Sequence, residues 1–302
     1  MTYKHVIIDG DSIIYAAAAP SKRYCVVVAN DEYYITGDEI KANKMAEKKA
    51  GGVKEEIPFY PPLSHCLVKA KTTLSKILEN CGTESYTLYV AGKQDRNPKS
   101  QLYPEYKGHR DVEKPLYYSK VKKYLIEHWK AVECHNIEAD DVVHTEYYSK
   151  WNENCIIASA DKDVLYMTPG NKYNYRTHEQ FKIEDNQAAF NFALYVLAGD
   201  LGDNIPGLYG FGEPEFEKGI LVEKGKTLKE LFKVKCEEGL NYEECLTSYL
   251  KGAYKIYKEQ LKALPKKDLQ KRFELTCKLL WLPVYGKKYI YDVVDFEEEV
   301  FE

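Results

Sequence analysis

HVIIDGDS, at residues 5–12, decides the fold: an apolar, β-branched run from His5 to Ile8 breaks off at Asp9, Gly10 and Asp11. The same design recurs twice. Tyr86 to Ala91 (YTLYVA) is followed by Asp95, and Cys155 to Ser159 (CIIAS) by Asp161 and Asp163. Short, nearly continuous apolar runs are typical of strands buried on both faces, and the stretches between them read as helical. The first half therefore predicts an α/β core with a mostly parallel sheet and helices on its faces.

Working outward, residues from about 20 to 64 form an insertion on that core. It holds a hairpin, Tyr24 to Val28 and Tyr33 to Thr36 around Asn30 and Asp31, and then a polar helix rich in Lys, Glu and Ala that ends at Gly51 and Gly52. After about residue 187 the pattern turns helical. Ala188 to Ala198 is apolar at helical spacing, a glycine-rich hairpin follows, and then come Leu221 to Leu231 and the long basic stretch Leu246 to Leu280. A soft boundary near residue 190 separates a core of 1–190 from a helical region of 191–302.

Composition narrows the function classes. With 302 residues and 44% hydrophobic content the chain can build a substantial core. No stretch approaches the roughly 18 apolar residues of a membrane span, and the start lacks a secretory pattern, so a soluble, cytoplasmic protein is expected, in the host cytoplasm if phage-encoded. The eight cysteines contain no C-x-x-C pair, which disfavours zinc or redox motifs and suits free thiols. No H-E-x-x-H motif or Ser-His-Asp order is present. A net charge of −4 conceals local basic stretches. Lys93 to Lys123 carries nine Lys or Arg against four acids, and Lys251 to Lys288 eleven against three. The tail from Asp292 to Glu302, with six carboxylates and no base, reads as a solvated C-terminus.

Ligands of open α/β sheets gather at the carboxyl ends of the strands, which is where the acids fall. Besides those already named, IEADDVV supplies Glu138, Asp140 and Asp141 at a predicted helix start, and GDLGDNIPG supplies Asp200 and Asp203 in a turn. Any one of these is ordinarily a cap or turn residue. Together on one edge they would repel one another unless cations neutralised them, and all-oxygen ligation suits Mg²⁺ or Mn²⁺. Two such ions about 3.5–4 Å apart assist phosphoryl transfer. In GLYGFGEPEFEKG, Gly207, Gly210 and Gly212 would let backbone amides approach a phosphate. Around Tyr103, Tyr106, Lys107, His109, Arg110, Tyr117 and Tyr118, aromatics interleave with bases, as in single-strand binders or in an exposed amphipathic helix.

The ordered set IIDGDSIIY, YPEYKGHR, EADDVV, ASADKDVLY and GDLGDNIPGLYGFGE resembles the 5′-to-3′ exonuclease and flap endonuclease family, above all free-standing phage enzymes similar to the nuclease domain of bacterial DNA polymerase I. The resemblance implies a PIN-like 5′ nuclease core, a helical arch over about 93–130 and a C-terminal helix-three-turn-helix region. It assigns Asp9, Glu138 and Asp140 to one metal ion and Asp161, Asp163 and Asp203 to a second, with Asp141 and Asp200 acting directly or through water. Lys107 and Arg110 match the basic pair that contacts the scissile phosphate, and Tyr106 belongs to the same DNA-contacting motif. The glycine-rich turn would grip duplex backbone and hold a monovalent cation such as K⁺, with Lys218 taking the place of a lysine that relatives carry after the glycines, where this chain has Glu213 and Glu215. The family's further aspartate falls on Gly92, leaving Asp95 as a substitute through a shifted loop. Asp11 stands as an extra metal-shell carboxylate or a turn residue. The implied substrates are 5′ ends, flaps and nicks in duplex DNA and RNA–DNA hybrids during replication. The competing classes are a non-catalytic structure-specific DNA-binding protein of the same fold and a PIN-like metal-dependent ribonuclease.

Overall fold

Val6, Ile7 and Ile8 are wholly buried in the strand β1 (His5–Asp9), as the apolar run requires. In this computed structural model the described residues are 3–28, 32–36, 39–48, 53–108, 113–150, 154–211, 215–217, 220–222 and 239–301. Their contacts divide the chain into two units, Met1–Ser12 with Ser75–Val112 and Lys130–Glu302, and Ile13–Leu74 with Glu113–Trp129. After β1 the chain forms α1 (Asp11–Ala18), β2 (Ser21–Val28), β3 (Glu32–Thr36), α2 (Glu39–Lys48), β4 (Val53–Phe59), α3 (Leu63–Cys81) and β5 (Tyr86–Ala91). Next come α4 (Pro98–Leu102), α5 (Tyr118–Trp129), β6 (Val132–Cys134), α6 (Ala139–Ser149), β7 (Cys155–Ser159), α7 (Lys162–Tyr166), β8 (Gly170–Asn174) and β9 (Glu179–Ile183). The remainder is α8 (Asp185–Ala198), the short pairs β10 (Gly199–Asp200) with β11 (Ile205–Pro206) and β12 (Glu215–Glu217) with β13 (Ile220–Val222), then α9 (Tyr242–Gln260) and α10 (Lys266–Leu280).

The larger unit contains a six-stranded sheet in the order β6-β5-β1-β7-β8-β9. All its pairings are parallel except that of the edge strand β9 with β8. β1 lies between β5 and β7, with Ile8 opposite Leu88 on one side and Ala158 on the other. The chain builds outward from β1 through β5 to β6, then returns to lay β7 on the opposite flank. Such a reversal of strand order opens a crevice at the carboxyl ends of the strands.

The helical half surrounds α8, whose side chains from Ala188 to Leu197 are all buried. The helix runs unbroken through residue 190. The basic stretch expected over Leu246 to Leu280 is two helices, because the chain turns after Gln260 and Pro265 precedes α10. Asn241 starts α9 with a full capping box to Glu244. The acidic tail is not simply solvated as its charges suggest. Phe296, Val300 and Phe301 are buried, and the Phe301 ring centroid lies 4.7 Å from that of Tyr254 and 6.3 Å from that of Phe273.

In the smaller unit the predicted hairpin is the antiparallel pair β2 and β3, but β4 adds a third strand beside β2. Its sequence, VKEEIPF, lacks clean alternation and contains a proline, so periodicity alone does not reveal it. Leu221 to Leu231 lies mostly outside the described residues.

One buried base stands out beneath the sheet edge. Lys172 in β8 is fully buried, and its ammonium donates to the carbonyl of Val164 at 3.1 Å and to Thr168 Oγ1 at 2.8 Å, 5.8 Å from the Tyr147 ring centroid. Burial pulls its pKa down to about 7. The unfolded chain keeps this proton to about pH 10.4, so between these values it binds more protons than the native state, and stability rises with pH across that window. Urea unfolding at pH 7 and pH 9.5 should show that rise in the parent protein, and Lys172→Met should flatten it.

Candidate metal and phosphate site

The site forms where the strands end. Asp9, the last residue of β1, is buried; its carboxylate accepts from Ser159 Oγ at 2.8 Å and from the Asp11 amide at 3.3 Å. Ser159 ends β7 and itself accepts from the Asp161 amide at 2.9 Å, so one hydroxyl fixes the acids of neighbouring strands to each other. Asp161 caps α7 by accepting from the Asp163 amide at 3.0 Å. Asp11 accepts from the Ala91 amide at 2.9 Å and thereby ties the turn after β1 to the end of β5, which is the turn role.

The third acidic group opens α6. Glu138 occupies the cap position but makes no capping bond, because its side chain points to cations. Lys99 Nζ lies 3.0 Å from Glu138 Oε2 and 3.4 Å from Asp141 Oδ1, and Lys107 Nζ pairs with the other Glu138 oxygen and stands 3.4 Å from Asp203 Oδ2. The Tyr106 hydroxyl lies 2.9 Å from Glu138 Oε2 and 2.9 Å from Asp203 Oδ2. Expected at the nucleic acid, Tyr106 is instead 4% exposed, a buried link between two acids. Its burial, and then the charges of Glu138 and Asp203, push the phenol pKa up, so it remains a donor. The Lys107 amide donates to the Asp203 carbonyl at 2.9 Å, which holds the YPEYK loop on the turn of Asp200 and Asp203.

Electrostatics reveal how crowded this edge is. Burial, then the charges of Asp11 and Asp161, push Asp9 up to about 7. Asp140 rises through burial, Asp9 and Asp161, and Asp163 through burial, Asp161, Asp200 and Asp203. Asp200 rises through burial and Asp203. Burial also pushes Asp141 up against the opposing charge of Lys99. Glu138 goes the other way: burial would raise it, but Lys99 and Lys107 hold it well below the carboxylate range. Two lysines thus satisfy one end of the cluster, while the rest is negative charge that burial and mutual repulsion disfavour. Among the described residues no three Asp, Glu, His or Cys side chains form a finished metal cage. The donor chemistry nevertheless fits hard divalent cations, which take carboxylate oxygens and would relieve that repulsion.

The other predicted positions fall as follows. Asp95 is exposed on the loop between β5 and α4. No side chain fits at Gly92, since a Cβ there would meet His135 Nδ1 at 2.5 Å and the Cys134 carbonyl at 2.8 Å. Gly207 is required by packing: its Cβ would lie 1.9 Å from the Ala198 carbonyl oxygen. Gly210 has a φ of 86° with open space around it. Arg110, Gly212 and Lys218 lie outside the described residues. Lys99 is the residue that the carboxylate pattern does not single out. Its signal is the helix start Asn97-Pro98, where Asn97 accepts from the Lys99 amide at 2.9 Å and so sets the lysine on the first turn.

Fold and acids together define an α/β protein with an acidic cluster at the carboxyl ends of a mostly parallel sheet. Over 150 residues the chain is 31% identical to flap endonuclease Xni of Shewanella sp. (strain ANA-3), covering 44% of this chain and 56% of that protein. Over 168 residues it is 24% identical to DNA polymerase I of Caldicellulosiruptor bescii, covering 49% of this chain and 19% of the polymerase. The chain thus matches little more than half the length of the first relative and about a fifth of the second. No protein-family model matches it. A crystal structure of T5 D15 protein co-crystallized with metal ions aligns with 91% of this chain and 99% of that one at 13% identity and a TM-score of 0.42. In sequence the chain is thus similar to part of a flap endonuclease and to part of a DNA polymerase I.

Lys99 offers a direct measure of the crowding. Removing one partner of a buried ion pair costs about 3–5 kcal/mol, and Lys107 remains on Glu138, so Lys99→Met should lose about 3 kcal/mol in EDTA. Adding Mg²⁺ should return part of that loss, as read by urea unfolding with and without the ion. An unchanged midpoint in EDTA would show that the lysine is not needed as a counterion.

Proposed function

We propose that the protein is a metal-dependent nuclease that hydrolyses phosphodiester bonds at 5′ ends, flaps and nicks of duplex DNA and at RNA primers in hybrids, working in the cytoplasm during DNA replication. The observation that carries this reading is the gathering of Asp9, Glu138, Asp140, Asp161, Asp163, Asp200 and Asp203 on one sheet edge, with Lys107 between Glu138 and Asp203.

In this reading Asp9, Glu138 and Asp140 hold one Mg²⁺ or Mn²⁺, Asp161, Asp163 and Asp203 hold a second, and Asp141 and Asp200 act directly or through water. Bound there, the two ions would supply Lewis acidity to an in-line displacement. The protein's own groups do the rest. Lys107 places an ammonium where charge on a scissile phosphate grows, and that electrostatic help is stronger in a partly buried site than in water. Arg110 shares this role by resemblance alone. Tyr106 acts from behind, by keeping Glu138 and Asp203 in register. Asp95 is the weakest member of the assigned set, because it is exposed on its loop, and Asp11 serves the turn.

Residues of about 93–130 are assigned to an arch over the 5′ end, and 191–302 to a duplex-gripping region. In that region Gly207 and Gly210, with Gly212 and Lys218 assigned by resemblance, approach backbone phosphate beside a K⁺ ion. The tight packing of Gly207 on the end of α8 supports a fixed turn there.

The test uses 5′-labelled flapped and nicked duplexes with Mg²⁺ and with EDTA, comparing the parent with Asp161→Asn. Asparagine caps helices as well as aspartate does, so the fold should persist. Cutting should need the ion and should fall at least about a hundredfold in the variant, the equivalent of roughly 3 kcal/mol of lost transition-state stabilisation. Cutting that survives EDTA, or attack confined to 3′ ends, refutes the proposal. Tight duplex binding without turnover in the parent would instead identify a non-catalytic binder, and a preference for single-stranded RNA a ribonuclease.

A further inference from the structure

The basic stretch from Lys251 to Lys288 takes no part in the chemistry above. Within α9, Lys251, Lys255 and Lys258 recur at i, i+4 and i+7, and all three are exposed. That spacing sets them along one side of the helix, about 6 Å and then about 4.5 Å apart along its axis. The other side of α9, with Leu246, Leu250, Ala253 and Tyr257, is buried, so the row is held on a rigid support. Among the described residues none of the three lysines closes an ion pair with a carboxylate. The Lys258 ammonium lies 5.0 Å from the Tyr254 ring centroid. The three lysines line a recess of about 480 Å³, completed by Tyr254, Glu259, Glu299 and Val300.

We propose that this lysine face is a contact for the phosphate backbone of duplex DNA, additional to the acidic sheet edge and the glycine-rich turn. The choice of partner rests on the nuclease reading; the surface itself rests on charge and shape. Lysine is a compact point charge on a flexible stem, suited to a phosphate without reading sequence. Tyr254 and Val300 give the stems an apolar floor along which to lie. Next along the chain after α9, Lys262, Lys266 and Lys267 are exposed as well. A row of exposed point charges on a rigid helix suits a polymer of regularly spaced phosphates better than a short acidic peptide. Glu259 and Glu299 stand in the same recess and oppose the contact, so part of the attraction is offset within the protein.

The experiment measures binding of a fluorescent, fully paired duplex by anisotropy in EDTA, across a salt series, where no cutting needs to occur. Relative to the parent, Lys251→Gln/Lys255→Gln/Lys258→Gln should flatten the plot of log affinity against log salt by about 2–3 and weaken binding roughly tenfold or more near 0.1 M salt. Glu259→Gln should move affinity the other way, by about twofold. Thermal unfolding should be unchanged in both, since every substituted side chain is exposed. An identical slope and affinity in the triple variant overturns the proposal. So does displacement of a labelled poly-glutamate peptide by the lysine changes while duplex binding stays constant, which would make the face a peptide dock. If the parent binds duplex with the expected slope but never cuts, the nuclease reading fails and the lysine contact stands.

Discussion

Buried negative charge in excess of its counterions is the constraint that organises this molecule. Seating Asp9, Asp140 and Asp163 away from water raises each of their pKa values, and each also suffers from its neighbours. A fold tolerates such an arrangement only by supplying hydrogen bonds and cations, and the structure supplies both. Ser159 serves Asp9, Tyr106 serves Glu138 and Asp203, and Lys99 and Lys107 draw charge from the Glu138 end. What the chain leaves unbalanced, around Asp9 and between Asp163 and Asp200, is the part that a divalent ion would complete. On the proposed reading, the lysines and the bound ions would compete for some of the same oxygens of Glu138.

The scaffold holds the cluster through backbone packing as much as through side chains. Reversal of strand order at β1 brings the ends of β1, β5 and β7 side by side, and Asp11 joins two of them through the Ala91 amide. Gly207 lets the turn of Asp200 and Asp203 close on the end of α8, where any side chain would strike the Ala198 carbonyl. The same turn holds the YPEYK loop through the bond from the Lys107 amide to the Asp203 carbonyl. A methyl group at Gly207 would therefore be felt at Lys107, far away in sequence, because the contacts between them are short and continuous.

The parts of this arrangement that the sequence reveals are those written in local pattern. Three apolar runs, each followed by acids, gave the strands and the sheet edge, because a doubly covered parallel strand must be apolar throughout and its ligand must sit where it ends. Lys99 was not legible, because a lysine among many looks like solvated charge until tertiary packing buries it beside Glu138. Tyr106 shows the converse: interleaved aromatics and bases resemble a stacking surface, and only the fold shows this hydroxyl buried against Glu138 and Asp203. The strand β4 was hidden by its charges and proline, and the acidic tail by its carboxylates, although Phe296, Val300 and Phe301 anchor it to α9 and α10. In each case a residue's partner lies too far along the chain for periodicity to report it.

The net charge of −4 sums 43 Lys and Arg and 47 Asp and Glu over the whole chain and describes no single face of it. At physiological ionic strength a charge is felt over about 8 Å, so a polyanion senses the local face it meets rather than the sum over the molecule. On the proposed readings the acids at the sheet edge gather cations and the lysines on α9 gather phosphates, each through its own local field. Moving a few of the lysines into the acidic edge would leave the total unchanged and would neutralise both functions at once. The local placement of the charges, more than their overall balance, is therefore what the two proposed roles depend on.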